Sequence, residues 1–126
     1  MSARVAGSAL VEQLFLQTPG AGVLTGPDCV MGEAIEPLSA THVRVYLQVR
    51  EGQVVQARYQ VRGCPFTIAA LAILAPQWAG SPAASLRVDA DGLERILEAP
   101  ADRRGRFLLI EDALTQALSA CATVLA

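Results

Sequence analysis

The chain has 126 residues, 52% of them hydrophobic and 17% charged, with a formal net charge of −2. That length and composition fit one globular domain with a real core, and they exclude a disordered or fibrous chain. The slight negative charge predicts no general attraction to nucleic acid or to an anionic membrane.

All ten basic residues are arginines. Schiff-base, pyridoxal-phosphate and P-loop chemistry each need a lysine, so all three are excluded. His42 is the one histidine, which removes His-rich zinc sites, and GxGxxG, GxSxG, HExxH and CxxC are all absent. No enzyme class is indicated. Three irregularly spaced cysteines, Cys29, Cys64 and Cys121, make no disulfide framework and point to a reducing cytoplasm. The longest apolar run, residues 66–75, ends at Pro76 and is half the roughly 20 residues that a membrane span needs. The first residues show no signal-peptide pattern.

In chain order, residues 8–17 predict an amphipathic helix with Leu10, Val11, Leu14 and Phe15 on one stripe. Thr18-Pro19-Gly20 stops it, and a Gly-rich segment follows with Cys29 in a partly exposed loop. Residues 32–35 read as a short edge strand ended by Pro37. From His42 the alternation is clean: Val43, Val45, Leu47 and Val49 face one way, Arg44, Tyr46, Gln48 and Arg50 the other. Glu51-Gly52 reverses the chain, and a second strand runs to Val61 with Val55, Ala57, Tyr59 and Val61 on one face.

The spacing then switches from every second residue to helical spacing at Gly63-Cys64-Pro65. Gly63 is free to take backbone angles that other residues avoid, and Pro65 suits the first position of a helix. Cys64 is thereby set at the helix N-terminus, where unpaired amides and the positive dipole end favour a thiolate. It is a candidate ligand or nucleophile; the plainer alternative is a small buried residue at a tight junction. The helix after it is apolar nearly all round, so it is buried against a sheet or a partner. Pro76 ends or kinks it, which puts Trp78 past a bend.

Ser81-Pro82 reads as a helix N-cap and first residue. Residues 89–97 give a helix with Leu93, Ile96 and Leu97 inward. Beyond a polar connection, Phe107, Ile110, Leu114, Ala117, Leu118, Cys121 and Leu125 predict a long C-terminal helix on the sheet. With no repeat or linker visible, the expectation is a single α+β domain over residues 1–126. Arg103, Arg104 and Arg106 form a small basic cluster that Asp102 and Glu98 partly neutralise.

The order of these elements and several short words in them resemble a known family. Residues 32–37 (Gly-Glu-Ala-Ile-Glu-Pro), Glu51-Gly52, Gly63-Cys64, Trp78-Ala79-Gly80 and Glu111-Asp112-Ala113 are similar in order and spacing to the IscU/NifU N-terminal type of iron–sulfur cluster assembly scaffold. The resemblance implies a small three-stranded antiparallel sheet packed against helices, a non-enzymatic scaffold role, and a cysteine desulfurase or other assembly protein as partner. Family members hold a nascent cluster with three cysteines, helped by an aspartate and a histidine. Carried over one at a time, the middle cysteine falls on Cys64 and the first on Ser39. The aspartate falls on Thr41, the histidine on Gly105 and the third cysteine on Arg106. The family's chaperone-recognition segment falls on Pro100-Ala101-Asp102-Arg103.

One of five ligand positions keeps its side chain. A [2Fe–2S] cluster takes about four protein ligands, so the resemblance implies transient iron, sulfur or cluster binding through Cys64 as metal ligand. A symmetric homodimer would bring two such thiols together. Cys29 and His42 are the substitutes for a lost ligand that the sequence offers. Two other readings follow: a scaffold that binds no metal and keeps a protein-interaction surface, and a thiol-based activity such as persulfide transfer.

Overall fold

Strict two-residue alternation from residue 42 builds a hairpin whose branched residues fill one face. In a computed structural model describing residues 6–125, with side chains from 9 to 121, strand β2 (Thr41–Arg50) pairs antiparallel with β3 (Gln53–Arg62). The reversal at Glu51-Gly52 puts both residues at positive φ, 53° and 75°, as a two-residue hairpin turn requires. Val43, Val45, Leu47 and Val49 are fully buried on the inner face.

Strand β1 (Cys29–Glu36) adds to the other side of β2, giving the antiparallel order β1-β2-β3. It is longer than the short edge strand that residues 32–35 predict, and Cys29 is its first residue rather than a loop residue. The helices α1 (Ala6–Gln17), α2 (Pro65–Trp78), α3 (Ala90–Leu97) and α4 (Arg104–Leu125) complete the described chain. Helix α4 lies on β1 and β2, α2 lies on β3, and α1 and α3 pack over α2. The expected α+β architecture, a three-stranded sheet against helices, is what forms. Among the described residues no helix is long and apolar enough to cross a membrane.

Several side chains depart from their expected faces, each for a local reason. The register shifts between Gln48 and Val49, so that Val49 opposes Val54 while Gln48 opposes Gln56. Val55 is the extra residue of this bulge. It is 42% exposed, and Val54 takes the core position expected of it. Ile96 is 53% exposed because Ala90, Leu93 and Leu97 already fill the inward stripe of a two-turn helix. Phe15 is also exposed, while Val11 is buried and Leu10 and Leu14 pack against the core.

Pro76 sits inside α2 without ending it, and Trp78 is the last helical residue. Trp78 is buried and donates through Nε1 to the carbonyl of Arg87 at 3.3 Å. Ser81-Pro82 leads only a single 3₁₀ turn, Ala83–Ser85, and the Ser81 hydroxyl bonds back to Gln77 O at 2.9 Å. Asp89 caps α3 by accepting from the Gly92 amide. Phe107, Ile110, Leu114, Ala117 and Cys121 are buried along α4, as their spacing predicts; the side chain of Leu125 lies outside those described.

One approach fixes how α4 sits. A Cβ built on Gly32 would stand 1.8 Å from the Ala113 carbonyl oxygen and 2.5 Å from the Ala117 amide nitrogen. Backbone cannot give way as a flexible side chain does, so β1 and α4 are in contact only because residue 32 has no side chain. Gly32→Ala is therefore expected to lower the stability of the fold by about 3 kcal/mol or more, read by denaturant unfolding. Gly105→Ala, where a Cβ meets nothing within 4 Å, should be neutral or stabilise by up to about 1 kcal/mol. Equal stability of the two variants would contradict the close approach.

Candidate functional site

The hairpin delivers Cys64 to the head of α2. Cys64 is the N-cap residue, extended at φ −79° and ψ 161°, and its carbonyl accepts from the Thr67 and Ile68 amides at 3.0 and 3.2 Å. Pro65 follows as the first helical residue, as the sequence predicts. Gly63 is not in a left-handed conformation, which departs from the expectation. What it supplies is room, since a Cβ there would stand 3.1 Å from Thr41 Cγ2 and 3.5 Å from Thr41 Oγ1.

Thr41 is thus packed beneath the residue before Cys64, and it is buried. Its hydroxyl shares a 2.7 Å hydrogen bond with the Ser39 hydroxyl. The turn carrying Ser39 is held by Glu36, whose carboxylate accepts from the Leu38 and Ser39 amides at 3.2 and 2.8 Å. The hydrogen bonds from Ser39 lower the pKa of Glu36, and the positive charge of Arg106 adds to this from α4. Ser39 and Thr41 are joined by that hydrogen bond, Thr41 lies against Gly63, and the charge of Arg106 acts on Glu36. Gly105 adds no side chain, and the space beside it is open.

Cys64 is half-buried, with Sγ 3.4 Å from the Thr67 hydroxyl. Burial alone pushes its thiol pKa up. The Thr67 hydroxyl and the Thr67 and Phe66 amides outweigh that, the Arg103 guanidinium adds to them, and the net shift is downward. Two residues of the site were not singled out from sequence, Glu36 and Thr67, and Arg103 was read there only as part of a basic cluster and of the segment the resemblance matches. Thr67 carries a local signal, since it lies three residues beyond the N-cap, where side chains reach back. Glu36 acts within its own turn, and the effect of Arg103 on the thiol comes from the entry to α4.

The groups described here include one thiol, three hydroxyls and two guanidinium groups. Arg103 Nε and Arg106 Nε are both buried without a hydrogen-bond partner, while Arg103 also pairs with Asp102 at 3.1 Å. A guanidinium cannot be deprotonated to act as a ligand. These side chains do not fit the four-ligand requirement of a [2Fe–2S] cluster within one chain. Among the described residues no three of His, Cys, Asp and Glu come together as metal ligands.

The substitutes that the sequence offers lie elsewhere. Cys29 pairs with Gln48 at the end of the sheet away from His42 and Arg62. Six residues along β2 separate those ends, about 20 Å of strand. There the Cys29 thiol bonds to Thr25 O at 3.4 Å, and burial followed by the Asp28 charge raises its pKa. His42 is half-buried and its Nε2 is paired with Glu33, which also accepts from Arg44 Nε at 2.8 Å. Cys121 is buried in the core. In the basic cluster, Arg104 reaches Asp91 at 2.5 Å and Glu94 at 3.6 Å.

A lowered thiol pKa leaves more thiolate near pH 7, so Cys64 should alkylate with iodoacetamide faster than a free thiol. Thr67→Val removes the hydroxyl and should slow the reaction. A wild-type rate no faster than that of a free thiol would contradict this environment.

No protein-family model matches the chain, and no curated protein matches it. Two solved structures share its fold. The N-terminal part of a NifU-like nitrogen-fixation protein from Brucella abortus superposes with a TM-score of 0.75 at 21% identity, covering 90% of this chain and 92% of that one. A protein described as an iron–sulfur cluster assembly scaffold for the SUF system, from Fervidobacterium islandicum AW-1, gives 0.71 at 15% identity over 88% and 95%.

Proposed function

We propose, from a chain with the IscU/NifU-type fold, that the protein serves iron–sulfur cluster assembly as a scaffold-like protein. It meets iron, sulfur or a nascent cluster as transient cargo through the single thiol of Cys64. The observation that supports this is a half-buried thiol at a helix N-terminus, preceded by Gly63, which packs on Thr41, itself bonded to Ser39. The solved structures with this fold include a named assembly scaffold, which supports the pathway.

One thiolate gives a monodentate contact with no chelate gain, and Arg103 and Arg106 add positive charge that disfavours a metal cation. The remaining ligands therefore come from outside the chain, from a second copy or from an assembly partner such as a cysteine desulfurase. The protein is read as a non-enzymatic member of a cytoplasmic pathway.

A second reading has its own observation. Ile35 is 59% and Leu38 98% exposed, both within four residues of Ser39, and Leu108 is 43% exposed just after Arg106. Apolar side chains displayed there suit a protein-interaction module that contacts no metal.

Anaerobic incubation of the wild-type protein with ferrous iron and sulfide separates the two. The first reading expects weak charge-transfer absorption that is lost on desalting and absent in Cys64→Ser. Colour that survives Cys64→Ser would reject the thiol as the contact. A wild type that never colours, and that captures a desulfurase with or without Cys64, would favour the interaction module.

A further inference from the structure

The face of the sheet turned away from the helices carries a cavity of about 300 Å³ lined by His42, Arg44, Gln60, Val61 and Arg62. Its position is set by register: His42 stands directly opposite Arg62, and Arg44 directly opposite Gln60. Its polar lining is almost all donors. The Gln60 Oε1 is occupied by the Tyr46 hydroxyl at 2.7 Å, which leaves the amide N–H groups of Gln60 to the cavity. The one neighbouring acid, Glu33, is shared between Arg44 and His42. Among the described residues no hydrogen bond or ion pair ties Arg62.

This charge is local. The chain as a whole is at −2, yet Arg44, Arg50, Arg58 and Arg62 all stand on this face against Asp28 and Glu33. Around the cavity two arginines stand with one glutamate, so one positive charge is left over. Guanidinium forks in that setting match a doubly charged tetrahedral oxyanion, with two parallel N–H bonds from one group.

We propose that this cavity binds a small phosphate-type oxyanion, with Arg62 as its principal contact and Arg44 and Gln60 as supporting donors. The site lies on the sheet's outer face, and none of the residues gathered around Cys64 lines it. It stands or falls independently of any iron–sulfur role.

The test is a titration of ¹⁵N-labelled protein with inorganic phosphate at constant ionic strength, with acetate and chloride as separate arms. Saturable shifts are expected at the amides of residues 42–44 and 60–62. Arg62→Gln should weaken binding at least about tenfold, as loss of one charge-assisted contact implies. Arg62→Lys, which keeps the charge but not the fork, should fall between the two. Arg95→Gln, on α3, should bind as the wild type does. Arg62 is exposed at a strand end, so its variants should keep the wild-type spectrum elsewhere, which the same data report. Shifts that do not saturate, that chloride reproduces, or that persist unchanged in Arg62→Gln would overturn the proposal. Acetate binding as tightly as phosphate would overturn its phosphate character.

Discussion

The contact on which this arrangement turns is that of a strand backbone with a helix backbone. At Gly32 the absence of a side chain lets α4 come down directly on β1, closer than any Cβ would allow. That approach fixes the height and rotation of α4, and with it the position of its first turn. Arg106 then reaches the neighbourhood of Glu36, and Arg103, just ahead of the helix, adds its charge to Cys64. The site therefore draws on three connections: the turn after β1, the exit of β3 and the entry into α4.

The balance at Cys64 shows how such a place tunes a thiol. Half-burial favours the neutral form, while a neighbouring hydroxyl, two amides and a guanidinium favour the anion. Electrostatics that stabilise a thiolate also repel a metal cation when they come from arginine. The Arg103 charge that favours the thiolate also disfavours a metal cation beside it. Ser39 and Thr41 bond to each other.

Much of the frame was legible in the sequence because it rests on local rules. Alternation from residue 42 fixed the hairpin's inner face, Gly63-Cys64-Pro65 marked the strand-to-helix junction, and helical spacing after Arg106 gave the core stripe of α4. What escaped was set by contacts far apart in the chain. The bulge at Val55 depends on how β2 and β3 pair. The extension of β1 back to Cys29 depends on pairing with Gln48 rather than on any alternation of its own. Pro76, expected to end or kink α2, does not end it, and the helix runs two residues further to Trp78. The effect of Arg103 on Cys64 depends on how the chain enters α4.

The central claim is the proposal that positions 39, 41, 64 and 106 share one pocket. The most direct test restores the family pattern, Ser39→Cys with Thr41→Asp and Arg106→Cys, and measures cluster retention after anaerobic reconstitution and desalting. The account predicts that the combined variant, folded as the wild type by circular dichroism, keeps a [2Fe–2S] absorption spectrum that the wild type loses. A folded variant that stays as colourless as the wild type would show that these positions do not share a pocket.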